Sequence, residues 1–172
     1  MSRRSFDPRL LAVTAVMTAI VFVLTSMVRV PTPARGYIHL GDAGVFFSAL
    51  AFGPWIGAVA GGLGTFLADV AGGFPQWAVF SLLIHGLQGW VVGWTSQRWQ
   101  GVAGLLLSTV LGGVIVVVGY FVAGIILSGI GAAVGELPMN IIQVAVGAAV
   151  GVPLFVAVRQ AYPPLLRWGR RQ

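Results

Sequence analysis

LLAVTAVMTAIVFVLTSMV, residues 10–28, carries no charge over nineteen positions and stops at Arg29-Val-Pro31-Thr-Pro33. A helix rises about 1.5 Å per residue, so about 20 apolar residues cross the roughly 30 Å hydrocarbon core of a bilayer. Outward from this run the pattern recurs. A weaker run, Ile38–Phe52, ends at Gly53-Pro54, and Trp55–Val70 is closed by Gly72-Gly73-Phe74-Pro75. Trp77–Thr95 is followed by Ser96-Gln97-Arg98. The next run lies within Val102–Leu127 and leaves through Gly129–Gly135; the last, Leu137–Val158, ends at Arg159 and Pro163-Pro164. The expected fold is an all-α integral membrane protein: one six-transmembrane-helix bundle over residues 1–172. Its spans lie at about 10–28, 38–52, 55–70, 77–95, 102–127 and 137–158. The runs are continuous and lack the alternation of a membrane barrel.

Composition agrees. Hydrophobic residues make up 58%, charged residues 8%, and mean hydropathy is +0.94. A soluble domain carries about 25% charged residues, so this chain cannot cover itself against water. A soluble enzyme and a disordered tail are excluded, and without Cys so is a disulfide scaffold. The net charge of +6 is no nucleic-acid signal, because no basic stripe carries interleaved aromatics. The charges sort by side instead. With both termini cytoplasmic, eight of the ten arginines lie inside with Asp7, and Arg29 and Arg35 lie outside with Asp42, Asp69 and Glu136. That is the positive-inside pattern. Tyr37 and Trp77 are expected at the outer interface, and Trp55, Trp94, Trp99, Trp168 and Tyr162 at the inner one. Ser2-Arg3-Arg4-Ser5-Phe6 looks like an export signal, but no small-x-small cleavage site follows Ser26, so it reads as a cytoplasmic anchor.

The glycine pairs Gly57/Gly61, Gly89/Gly93 and Gly147/Gly151 each stand four residues apart, on one helix face. In lipid such faces let backbones approach. Ala12, Ala15 and Ala19 form a second smooth ridge, either packed internally or open to another membrane protein.

Polar groups at membrane depth are costly and mark candidate sites. Glu136, Asn140 and Gln143 share one face of the last helix, which continues into Gly147 and Gly151. They suit a pocket floor, or Glu136 pairs with Arg29 or Arg35 while Asn140 caps a neighbouring backbone. Ser81, His85 and Gln88 line up on the fourth helix. His85 is open between a structural hydrogen bond, ligand contact and proton relay. Asp69 pairs with a loop arginine or caps a turn. His39 and Asp42 stand three apart, but two ligands without a third make no metal site. The segment Arg29–Gly41, stiffened by Pro31 and Pro33, is a plausible lid or an ordinary connector. No P-loop, H-E-x-x-H or G-x-S-x-G assembles, so no enzyme chemistry is expected.

Gly36-Tyr-Ile-His-Leu-Gly41-Asp42, Phe52-Gly53-Pro54 with Gly57, Gly61-Gly62-Leu-Gly64 and Ala68-Asp69 together resemble the substrate-binding S component of energy-coupling factor (ECF) vitamin transporters, of the riboflavin-type subgroup. Glu136-Leu-Pro-Met-Asn140-Ile-Ile-Gln143 is also similar to that family. Its fourth helix usually reads like K-G-x-x-G, where this chain has His85-Gly86-Leu-Gln88-Gly89. The resemblance covers the chain from the first helix to the last. It implies a multi-pass protein of a bacterial or archaeal plasma membrane, working with a transmembrane coupling protein and two ABC ATPases. ATP is then used by those partners, and this chain needs no cofactor. It implies docking of the coupling protein on Ala12, Ala15 and Ala19, the last two matching an A-x-x-x-A surface. It implies transport of a small vitamin or precursor: riboflavin, a pyridoxine-type ring or a thiamine pyrimidine. That substrate would bind near the outer face among Arg35, Tyr37, His39, Asp42, Asp69, Trp77, Ser81, His85, Gln88, Glu136, Asn140 and Gln143. Phe80, Tyr120 and Phe121 are further rings that could stack on it. The competing reading is a solitary permease or channel working without ATPases.

Overall fold

Each apolar run becomes a helix, and glycines and prolines set the ends. The computed structural model describes residues 8–32 and 36–165; Arg35, like the terminal arginines, lies outside them. The helices are α1 (Pro8–Met27), α2 (Gly41–Phe52), α3 (Pro54–Gly72), α4 (Pro75–Arg98), α5 (Gly101–Ser128) and α6 (Ile130–Ala161). Proline occupies the first turn of α3 and α4, where no intrahelical N–H bond is lost. A single residue, Gly53 at φ 91°, joins α2 to α3, a turn that a side chain would strain.

Two elements differ from expectation. The span foreseen at 38–52 is helical only from Gly41, and its 12 residues cover about 18 Å, too little to cross a bilayer. Among the described residues five helices, α1 and α3–α6, are long and apolar enough to cross; α2 is the short sixth. The missing length is taken by an antiparallel hairpin, β1 (Arg29–Pro31) and β2 (Tyr37–His39), with Arg29 opposite His39 and Pro31 opposite Tyr37. The hairpin fits because the helices beside α2 are longer. Val45 packs at Gly61 and Ala49 at Gly57, so α3 continues about 10 Å beyond the level of Gly41. The hairpin fills that height.

The second difference is at the start of α6. Residues 130–135, expected as a loop, form its first turns, and Pro138 lies inside the helix. Helical geometry satisfies backbone groups internally, which in lipid outweighs the poor propensity of glycine and proline. The chain turns at Gly129 alone, at φ 85°.

The exposure pattern is inverted relative to a soluble protein. Leu83, Leu106, Val110 and Ile126 are exposed, whereas Asp42, Ser48, Thr65, His85 and Gln88 are fully buried. Trp77, expected at the interface, is 5% exposed and packs inside with Ile84, Val116 and Ala123. Trp55, Trp94, Trp99 and Tyr162 are exposed near the opposite end of the bundle. Ala12, Ala15 and Ala19 face outward, so the ridge on α1 is not spent on internal packing.

The glycine faces close the bundle. A Cβ on Gly89 would stand 2.2 Å from the Gly57 carbonyl oxygen, and one on Gly61 2.6 Å from that of His85. One on Gly147 would meet Asp42 Cβ at 2.3 Å, and one on Gly151 the Ala43 carbonyl oxygen at 2.4 Å. Backbone cannot yield as a flexible side chain can. Gly89→Ala should therefore cost about 1–3 kcal/mol, the usual range for overpacking. Gly131→Ala, with open space around the added methyl group, should stay within about 0.5 kcal/mol of the parent. Thermal unfolding of the two variants in one detergent checks the contrast.

Candidate functional site

The hairpin, α3, α4, α5 and α6 enclose a cavity lined by Thr32, Gly36, Tyr37, His39, Asp69, Trp77, Ser81, Tyr120, Glu136, Asn140 and Gln143. Helical spacing delivers most of this. Glu136, Asn140 and Gln143 descend one face of α6, and Trp77 and Ser81 one face of α4. Asp69 sits in the last turn of α3, and the strand alternation of β2 turns Tyr37 and His39 to the same side.

Two side-chain bonds hold the hairpin over the cavity. Tyr37 donates its hydroxyl to Asp69 Oδ1 at 2.7 Å, and Thr32 donates to Glu136 Oε1 in a short contact. Burial, then the Asp69 carboxyl, push the Tyr37 hydroxyl well above its usual range, so it keeps the proton it donates. Arg29 does not turn into the cavity. Its Nη2 donates to the Ala68 carbonyl at 2.9 Å and its guanidinium lies 4.8 Å from the Tyr37 ring centroid, clamping the hairpin to the end of α3.

Beneath the cavity lies a second layer. Asp42, fully buried, accepts from Gln88 Nε2 at 2.7 Å and from Gln143 Nε2 at 2.8 Å. Gln143 Oε1 in turn accepts the His39 backbone N–H at 3.0 Å, and His39 Nδ1 accepts the Gly41 N–H at 3.1 Å. His39 is neutral near pH 7: burial, reinforced by His85 and Arg29, holds its imidazole well below the usual range. His85 Nδ1 is 2.8 Å from Gln88 Oε1 and 3.7 Å from Asp42 Oδ1. With the Gln88 amide nitrogen committed to Asp42, its oxygen faces His85 Nδ1, which therefore donates.

Eight of the twelve expected binding residues thus line the cavity: Tyr37, His39, Asp69, Trp77, Ser81, Glu136, Asn140 and Gln143. Asp42, His85 and Gln88 form the layer below, and Arg35 lies outside the described residues. Thr32, Gly36 and Tyr120 complete the lining. Tyr120 was expected as a ring that could stack on a substrate; the structure places it in the lining, ties its hydroxyl to Ser81 Oγ at 2.7 Å and sets its ring 6.0 Å from Trp77. Nothing in the sequence singles out Thr32 from its flanking prolines.

The cavity holds about 20 Å³, room for about one water. Yet three buried polar atoms at or beside it make no hydrogen bond within 3.5 Å to the described residues: Asp69 Oδ2, Asn140 Nδ2 and His85 Nε2, the Ser81 hydroxyl interacting with the Asp69 carboxyl at longer range. Unpaired groups in low dielectric are costly and are retained where something else satisfies them.

A family model described as ECF-type riboflavin transporter, S component, matches residues 5–160, and the chain belongs to that family. It is 48% identical over 101 residues to an uncharacterized protein in gap 3'region of Pyrococcus woesei, covering 58% of this chain and 68% of the relative. It is 37% identical over 116 residues to the thiamine precursor transporter HmpT of Lactococcus lactis subsp. cremoris, covering 66% of each. The chain spans about two thirds of each relative's length. A solved S component of a bacterial ECF transporter superposes with a TM-score of 0.74 over 89% of this chain and 96% of that one, at 16% identity, a likeness of fold. The chain is thus a multi-pass membrane protein and the substrate-binding subunit of an ECF-type vitamin importer, and not an enzyme.

The Asp42 layer should dominate stability. Asp42→Ala leaves two buried carboxamides without their acceptor and should cost about 2–6 kcal/mol, from about 1–3 kcal/mol for each buried donor left unsatisfied. Asp42→Asn, which keeps one acceptor oxygen, should cost less. Chemical denaturation in detergent, with helicity as the signal, measures the order.

Proposed function

We propose that this S component captures a single-ring, aminopyrimidine-type vitamin precursor in the cavity beneath the hairpin. The observation that carries the reading is the pair of unpartnered polar atoms in the lining, Asp69 Oδ2 and Asn140 Nδ2. An aminopyrimidine offers an exocyclic N–H₂ to the carboxyl oxygen and a ring nitrogen to the carboxamide donor. Trp77 and Tyr120 supply flat apolar faces for its ring. A single ring also needs the least expansion of a 20 Å³ cavity, reached by releasing the Tyr37–Asp69 and Thr32–Glu136 bonds. The name of the HmpT relative supports the same class. The family description favours riboflavin, a tricyclic ring with a polyol chain, which requires a far larger opening.

The test is equilibrium binding to the purified chain, followed by tryptophan fluorescence, with Trp77→Phe identifying the share of the signal that comes from the cavity. The expected result is tight binding of a thiamine-precursor aminopyrimidine and weak binding of riboflavin; the reverse order overturns the assignment. Asp69→Asn and Asn140→Ala should each weaken binding by about 5- to 150-fold, the worth of one buried hydrogen bond of about 1–3 kcal/mol.

Both termini are cytoplasmic in this reading, supported by the arginine asymmetry, and the hairpin faces outward. The outward ridge of Ala12, Ala15 and Ala19 meets the transmembrane coupling protein, whose two ABC ATPases supply the energy. Its small side chains let a partner helix approach closely. Ala15→Leu and Ala19→Leu should abolish co-purification with the coupling module while leaving vitamin binding to the isolated subunit unchanged.

A further inference from the structure

The far end of the bundle holds a much larger space. Because α2 ends at Phe52 while α4, α5 and α6 extend past it, a cavity of about 660 Å³ opens beneath its last turn. That is well within the range of about 300–1,000 Å³ for small-molecule sites. Its lining is divided. Leu50, Leu105, Phe155 and Val156 form an apolar interior. Arg159 stands exposed at the rim among the carboxamides of Gln97, Gln100 and Gln160. α5 also begins here, with no side chain capping the N–H groups of its first turn. Trp99 lines the same space and Trp94 packs on it at 5.7 Å, the kind of aromatic pairing found at the headgroup level of a bilayer.

We propose that this cavity binds one anionic phospholipid, with its phosphate at Arg159 and the start of α5 and an acyl chain against Phe155 and Leu105. Charge complementarity selects the occupant. Among the described residues the rim presents a cation and hydrogen-bond donors with no opposing carboxylate in the lining, and the interior is mainly apolar, with Ser96 beside it. A zwitterionic lipid would bring its own cation against Arg159. The site lies at the opposite end from the hairpin cavity and shares no lining residue with it. It therefore stands independently of the vitamin assignment.

The experiment is native mass spectrometry of the full chain, delipidated in detergent and titrated with dioleoyl-phosphatidylglycerol or dioleoyl-phosphatidylcholine. The expected result is one retained phosphatidylglycerol, preferred by about fivefold, the worth of roughly 1 kcal/mol for one cation near an anionic headgroup. Arg159→Gln should erase the preference, and Leu105→Trp, which fills the interior, should lower occupancy by both lipids. Unchanged thermal unfolding of each variant shows that it is folded. Equal retention of the two lipids by the parent chain, or a preference that survives Arg159→Gln, overturns the proposal. So does phosphatidylglycerol binding that appears only after residues 166–172 are deleted, since the chain's own tail would then be the occupant.

Discussion

The structure depends on satisfying one carboxyl group at membrane depth. Asp42 is fully buried in a protein whose outer surface faces hydrocarbon, and each of its oxygens takes a carboxamide N–H from a different helix. Such a group is tolerated only when its hydrogen bonds are complete, and completing them here fixes the relative heights of α2, α4 and α6. Through the oxygen of Gln143 the same layer reaches the His39 backbone N–H, so it also seats the inner strand of the hairpin. The hairpin is then anchored below at Gln143 and above by the Tyr37–Asp69 and Thr32–Glu136 bonds. The cavity is the space between these two tiers.

The glycine faces make that layer possible. A side chain at Gly147 would clash with Asp42 Cβ, and one at Gly61 would push α3 away from His85. Close approach contributes dispersion contacts, which matter where apolar burial gives no drive between helices. It also shortens the gap that Gln88 and Gln143 must bridge. Packing and polar satisfaction are therefore one design: small residues draw the helices in, and the amides then meet the carboxyl. Among the described residues the far end has no comparable layer. There α2 stops short, and the bundle opens into the cavity at Arg159.

Much of the fold was legible because lipid imposes a simple demand. Five long helices, their order and their breaks at proline and glycine follow from the requirement that backbone groups be satisfied within the span. Much of the cavity was legible for a related reason. A polar side chain in a span needs a partner, and three of them on one face of α6 mark one wall of a cavity. The hairpin was not legible. Residues 38–40 hold two apolar side chains and read as the start of the α2 run, and hydropathy does not distinguish a strand from a helix over so short a stretch. The early start of α6 was hidden by Gly131, Gly135 and Pro138, whose propensities point to a loop that the surroundings override.

The sequence by itself determined the solvent, the long helices and the polar faces, because each depends on residue type and spacing along the chain. Only the tertiary structure decided that Trp77 is interior, that Arg29 clamps the hairpin and that the alanine ridge of α1 faces outward. It also separated the expected binding residues into a lining and an Asp42 layer beneath it. The reason is depth. Periodicity fixes which residues share a helix face, but not how far one helix slides along another, and that offset decides which polar atoms meet and which are left unpaired.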